Sequence, residues 1–199
     1  LLIPARESDG MTDNPFTTLR SRVIWRSPWY ALRQDDIRLP DGSESVYTVV
    51  ERQQAVFIVP ALTDGRLALI RNYRYTLDDW LWEVPAGSLQ IGESPVEAAR
   101  RELAEEIGGQ TGRLEPITSF YTMPGICNEL SHVFLAYDVV LGTPRREPSE
   151  VMECHTFGVE TVAEMIMSGE LNDGPSALAL LLCLPRLRMS FPGHSMDWK

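Results

Sequence analysis

Residues 87–109 read GSLQIGESPVEAARRELAEEIGG. Ser94 followed three residues later by Glu97 makes a capping box, and Pro95 stands at the first helical position, so the pattern predicts a helix from Ser94. Gly108 ends it. Between these signals Val96, Ala99, Leu103 and Ile107 recur at steps of three and four, which gives one apolar stripe to dock on a sheet. Glu102, Glu105 and Glu106 are related as i, i+3 and i+4, so three carboxylates crowd beside that stripe. Like charges at this spacing destabilise a helix by roughly 0.2–0.5 kcal/mol per pair unless a cation neutralises them. Hard oxygen ligands suit Mg²⁺ or Mn²⁺. A solvated acidic face is the competing reading of any Glu-rich helix.

Bulk properties narrow the classes. The 199 residues make one sizeable domain, or a domain with a small appendage, and 44% hydrophobic residues supply a core. A net charge of -10 argues against unassisted binding to nucleic-acid backbones or anionic membranes, so neither is expected as a partner. A metal-loaded site reverses the sign locally and can still take an anionic substrate. Cys127, Cys154 and Cys183 are odd in number and lack CxxC spacing, which suggests neither a disulfide framework nor zinc and fits a reducing cytoplasm. LLIPARESDG at the start has too short an apolar run for a signal peptide, and no stretch approaches the roughly 18 apolar residues of a membrane span.

Residues 1–20 read as a mobile extension. From Ser21 to Val59 the pattern is β-like: SRVIWRSPWYALRQDDIRL, a turn at Pro40-Asp41-Gly42, then SESVYTVVERQQAVFIV, a hairpin followed by a core strand. Trp25, Trp29, Tyr30 and Tyr47 give the hairpin a high aromatic density, as a minidomain core, a subunit interface or a stacking surface. Arg66–Ile70 is a second core strand, so the hairpin is expected outside the main sheet. Arg71 and Arg74 follow; they either hold phosphate or balance the acidic helix. Pro85-Ala86-Gly87 predicts irregular backbone that frees the Ala86 carbonyl. Past the helix, strands are expected over Leu114–Tyr121 and His132–Leu141, with the tight loop TMPGICNEL between them and Glu129 on its far arm. Helices are expected over Thr161–Ser168 and Ser176–Leu184. The tail from Arg188 has no periodicity.

The spacing of the central stretch resolves the acidic helix. Gly87, five residues, Glu93, seven residues, Arg101-Glu102-Leu103, one residue, Glu105-Glu106, one residue, Gly108 resembles the signature of the Nudix hydrolases. With residue frequencies of about one in fifteen, the seven positions besides the aliphatic Leu103 match by chance about once in a million chains of this length. One position departs: the family has an aliphatic residue where this chain has Gly109, which bears on packing under the helix end and on none of the carboxylates. RNYR at Arg71–Arg74, EVPAG entering the box, and Pro124 fifteen residues past Gly109 resemble the ADP-ribose pyrophosphatase branch, as does GELNDGPSALALLL near the C-terminus. The likeness spans about Trp29 to Leu184.

The resemblance implies an α+β protein: a Nudix α/β/α sandwich around a mixed sheet over residues 54–187, preceded by a small antiparallel β domain over 21–53 that is exchanged between the subunits of a homodimer, with a tail over 188–199. It implies that Glu102 and Glu106 are carboxylate ligands of Mg²⁺, with Mn²⁺ as the alternative, that Ala86 supplies a carbonyl ligand, and that Glu105 binds metal directly or through water. Glu93 supports the site, and Arg101 orients the carboxylates. Glu129 maps to the proposed general base on the Pro124-Gly125 loop, Trp29 and Tyr47 to two aromatics that sandwich adenine, and Arg74 and Arg52 to contacts with phosphates or the terminal ribose. The implied activity is Mg²⁺-dependent hydrolysis of ADP-ribose to AMP and ribose 5-phosphate in the cytoplasm. Hydrolysis of another nucleoside diphosphate sugar such as GDP-mannose is the alternative. A non-catalytic ADP-ribose sensor would be expected to lose box glutamates, and this chain keeps them.

Overall fold

The computed structural model describes residues 14–190; the remainder of the expected N-terminal extension and tail, 1–13 and 191–199, lies outside the described residues. Inside that range both boundaries move. Strand β1 (Thr17–Arg26) begins before position 21, and helix α3 (Gly174–Ser190) continues through Arg188. The chain divides into two compact units. The described part of the first is 14–54 with 119–131, and that of the second is 55–118 with 132–190. The domain expected over 54–187 therefore gives up its 119–131 segment to the N-terminal unit.

In the first unit β1, β2 (Tyr30–Arg38) and β3 (Glu44–Arg52) form an antiparallel sheet in that order, separate from the main sheet. The expected hairpin is thus a three-stranded meander. Its first arm breaks at Ser27-Pro28-Trp29, where proline removes a ladder donor. The Ser27 amide bonds the Tyr30 carbonyl at 2.9 Å, and the Ser27 hydroxyl accepts the Trp29 and Tyr30 amides at 3.2 Å. The second turn is the expected one: Asp41 Oδ1 accepts the Ser43 amide at 3.0 Å.

The second unit has a seven-stranded sheet in the order β10 (Met152–Phe157), β5 (Leu67–Arg74), β4 (Ala55–Leu62), β9 (Leu130–Val139), β8 (Arg113–Tyr121), with β6 (Asp79–Glu83) paired to β5 and β7 (Ala86–Ser88) paired to β4. Helix α1 (Pro95–Ile107) covers one face. Its Ala98, Ala99, Leu103 and Ile107 pack with Val56, Ile58, Ala68, Ile70, Phe134 and Ala136. Helix α3 lies against β4 with α2 (Val159–Ser168) beside it, and the Ser176 hydroxyl accepts the Val84 amide at 3.1 Å. This is the expected α/β/α layering. The β10 strand was not foreseen, because MECHTF alternates only Met152 and Cys154 toward the core. Pro185 stands inside α3 on its exposed side, where water can serve the carbonyl that loses its donor. No helix among the described residues is long and apolar enough to cross a membrane.

Helix α1 is capped as its sequence dictates. Ser94 and Glu97 close a capping box, and Gly108 takes φ 64° at the C-cap, with its amide on the Ala104 and Leu103 carbonyls. The stripe is shifted by two residues at its start: Val96 is exposed and Ala98 is buried in its place. At Gly109 a Cβ would stand 2.9 Å from Leu103 Cγ, so Leu103 itself fills the space that an aliphatic residue would use. Gly108 meets Gly142 backbone to backbone; a Cβ at Gly108 would lie 2.3 Å from the Gly142 carbonyl carbon. The Gly108→Ala variant therefore combines a left-handed backbone with a rigid clash. Denaturant unfolding is expected to show a loss of about 2–4 kcal/mol, whereas Gly112→Ala, which meets nothing within 4 Å, stays within about 0.5 kcal/mol of the parent.

Candidate active site

Helix α1 turns Arg101, Glu102, Glu105 and Glu106 toward the β7 strand. Arg101 is the hub. Its Nε and Nη2 donate to the two oxygens of Glu93 at 2.8 and 2.9 Å, Nη2 also to the Ser88 carbonyl at 3.0 Å, and Nη1 to Glu102 Oε1 at 2.7 Å and Glu105 Oε2 at 3.0 Å. The bond to Glu93 above all, and those to Glu102 and Glu105, hold the guanidinium firmly charged. In return Glu93 titrates below the ordinary carboxylate range. A Cβ at position 87 would lie 1.9 Å from Glu102 Oε1, so any residue but glycine there would displace this carboxylate, which rests against bare strand backbone.

Glu102 and Glu106 are buried. Burial raises the pKa of Glu102 against the pull of Arg101. Glu106 is pushed well above 4.5 by burial first, then by the charges of Glu102, Glu150 and Glu83, with partial relief from the Ala86 amide, which donates to Oε2 at 3.0 Å. Among the described residues the carboxylate of Glu106 takes its hydrogen bond from the Ala86 amide and none from a cationic side chain, while Arg146 Nε donates to its backbone carbonyl at 2.8 Å, and no three carboxylate, histidine or cysteine side chains converge as a ready coordination shell. The donor set still fits a hard divalent cation: two dehydrated, mutually repelling carboxylates gain most from an added positive charge. Ala86 departs from expectation in one respect. It belongs to strand β7, opposite Phe57, and the irregular backbone is confined to Val84 and Pro85.

Arg74, expected at phosphate or ribose, holds Glu83 instead, Nε to Oε1 at 2.6 Å and Nη2 to Oε2 at 2.5 Å, while Asn72 Nδ2 donates to Oε2 at 3.2 Å. Glu83 is buried while Arg74 is half exposed. Burial works against the arginine's charge, but Glu83, Asp173 and Glu106 outweigh it. Glu83, Asn72 and Glu150 were missed in the sequence. Glu83 had a signal, a lone acid in the apolar run Trp80–Pro85, whereas Glu150 is brought near Glu106 by tertiary structure alone.

The remaining expected residues lie in the first unit. Glu129 is buried; its Oε1 accepts Thr122 Oγ1 at 3.3 Å, and Oε2 lies 2.9 Å from Arg52 Nη1 as an ion pair without hydrogen-bond alignment. Tyr47, Pro124 and Asn128 line a cavity of about 300 Å³ with Val49, Tyr121 and Ile126, and the Tyr47 hydroxyl donates to the Gly125 carbonyl. Trp29 and Arg52 line a different cavity of about 180 Å³. Trp29 adjoins Tyr30, which pairs with Arg52, whereas Tyr47 pairs with Asp35. Positions 47 and 52 are roughly 17 Å apart along a strand. Trp29 and Tyr47 thus line separate cavities of the N-terminal unit.

With this geometry in view, residues 51–176 match the NUDIX domain model. The chain is a Nudix hydrolase. Residues 16–50, the β1–β3 sheet of this Nudix hydrolase, match the nucleoside diphosphate sugar hydrolase N-terminal domain. Similar curated proteins include an ADP-ribose pyrophosphatase of Bacillus subtilis (strain 168), 32% identical over 165 residues that cover 82% of this chain and 89% of that one. An ADP-ribose pyrophosphatase of Mycobacterium tuberculosis is 33% identical over 164 residues, covering 81% and 79%. The crystal structure of an ADP compounds hydrolase superposes with a TM-score of 0.78 at 24% identity, over 88% of this chain and 95% of that one, and shows the same fold.

The raised pKa of Glu106 carries a sign. Its contribution to stability is fully present below about 4.5, the ordinary value, and is lost as pH rises through the higher folded value. In chelator, the Nudix hydrolase should lose stability relative to its Glu106→Gln variant as pH rises from about 4.5 through the raised folded value. Thermal unfolding across that range checks it; parallel curves would show that Glu106 ionises without cost.

Proposed function

We propose that this chain hydrolyses the diphosphate linkage of a nucleoside diphosphate sugar, with ADP-ribose, cleaved to AMP and ribose 5-phosphate, as the preferred substrate and Mg²⁺ as the cation. The observation that carries the chemistry is the buried Glu102 and Glu106 pair, whose charges repel without a cation. Two relatives named ADP-ribose pyrophosphatase, each similar over about four fifths of this chain, support the choice of substrate. The N-terminal match to the nucleoside diphosphate sugar hydrolases favours a second reading, in which the sugar nucleotide is another member of that class, such as GDP-mannose.

In this reading Glu102 and Glu106, with Glu105 and the main-chain oxygen of Ala86, hold the cation. When bound it supplies charge neutralisation at the phosphates and lowers the pKa of a water. Arg101 keeps Glu102 and Glu105 in place, so little reorganisation remains at the moment of reaction. Glu129 takes the proton of the attacking water at Oε2, the oxygen that lacks an aligned donor. The water oxygen bonds one phosphorus as the bridging oxygen leaves with the other phosphate. Exposed Leu19, Val23, Ile24, Trp25 and Val46 on the N-terminal sheet support a homodimer in which this sheet is a subunit interface.

Phosphatase-coupled phosphate release from ADP-ribose, GDP-mannose, UDP-glucose, diadenosine polyphosphates and NADH, with Mg²⁺ and then with chelator, tests the reading. Expected are turnover that needs the cation and a preference for ADP-ribose, a loss of at least about a hundredfold in Glu106→Gln with folding retained, and a dimer mass by sedimentation. Faster turnover of another sugar nucleotide would move the substrate within the class. Activity in chelator, or full activity of the variant, would end the metal assignment, and a monomer mass would end the dimer.

A further inference from the structure

Strand β3 lies at the edge of the N-terminal sheet, and an edge strand leaves a row of unpaired amides and carbonyls. Residues 125–128 fill part of that row. Val50 and Cys127 form a parallel bridge, the Val50 amide donates to the Ile126 carbonyl at 2.7 Å, and the Asn128 amide donates to the Val50 carbonyl at 3.3 Å. One position further on, the Arg52 amide donates to the Asn128 side-chain oxygen at 3.0 Å. The Tyr47 hydroxyl pins the Gly125 carbonyl at the other end. Glu129 follows directly, its amide on Cys127 Sγ at 3.4 Å and its buried carboxylate 2.9 Å from Arg52 Nη1.

Arg52 thus grips this segment twice, through its backbone to Asn128 and through its guanidinium to Glu129. An ionised carboxylate removed from water needs a cation beside it, and Arg52 is the one that the segment brings to Glu129. The Arg52 side chain is 38% exposed, so it reaches the carboxylate from the solvent side while its own backbone stays in the β3 ladder. We propose that Arg52 is a positioning residue for Glu129, with Asn128 keeping Arg52 in register, rather than a ligand of the substrate's phosphates. This rests on the reading of Glu129 as general base.

The test is steady-state kinetics on ADP-ribose with Mg²⁺ for Glu129→Gln, Arg52→Ala, Arg52→Lys, Asn128→Ala and the Arg52→Ala/Glu129→Gln double variant. Expected are a fall in kcat of about a hundredfold or more for Glu129→Gln, and a fall of at least about tenfold for Arg52→Ala with KM changed less than about threefold. Arg52→Lys recovers part of kcat, and Asn128→Ala lowers kcat with KM unchanged. The double variant is no slower than Glu129→Gln alone, since no base remains to position. A raised KM with kcat retained in Arg52→Ala, or a double variant slower by the full Arg52 factor, overturns the proposal and leaves the reading of Glu129 standing. Full kcat in Glu129→Gln removes that reading, and this proposal with it. If Arg52→Ala does not fold, Arg52→Lys and the double variant, whose residue 129 is neutral, give the same decision.

Discussion

Carboxylates that share one helix face repel one another, and the second unit of this chain answers that constraint in two ways. Arg101 neutralises the outer ones. A single planar fork reaches Glu93, Glu102, Glu105 and the Ser88 carbonyl, which a lysine ammonium could not do with the same geometry. Glu106 lies beyond that fork, in a buried position where its own charge is disfavoured. Capping of α1, the glycine at position 87 and the apolar contacts of Leu103 and Ile107 all serve to hold this strained arrangement against the sheet.

A second set of charges borders the first. Glu83, buried in β6, is held by Arg74 and Asn72, and its charge is felt at Glu106. The arginine expected at the phosphates or terminal ribose thus also balances a buried carboxylate. Removing either member of such a pair leaves an uncompensated charge, which is why these groups form one electrostatic unit with the box helix. The site gains negative charge in a chain that is already acidic, and a bound cation would reverse that sign locally.

In the first unit the organising feature is an edge strand completed by a loop from far along the chain. Residues 119–131 belong with β1–β3, so Glu129 is carried by the N-terminal sheet although it follows the box in sequence. Backbone bonds at Val50, with side-chain bonds from Tyr47 and to Asn128 at either end, give a loop residue a defined place. Loops that carry reactive groups are commonly positioned by a scaffold in this way.

Much of this was legible in the residues. Ser94, Glu97, Pro95 and Gly108 determined α1, because capping and backbone freedom are local properties that act within four residues. The spacing of Gly87, Glu93, Arg101, Glu102, Glu105 and Glu106 determined the family for the same reason: a helix converts spacing into a face. Long-range pairing was not legible. The attachment of Asn128 to Arg52, of Arg74 to Glu83, of Gly108 to Gly142 and of Glu150 to the field at Glu106 depends on which strands and loops meet, and no local preference encodes it. Trp29 and Tyr47 show the difference plainly. Sequence could place two aromatics in one β segment, but only the strand register decided that Trp29 adjoins the Tyr30–Arg52 pair while Tyr47 faces Asp35.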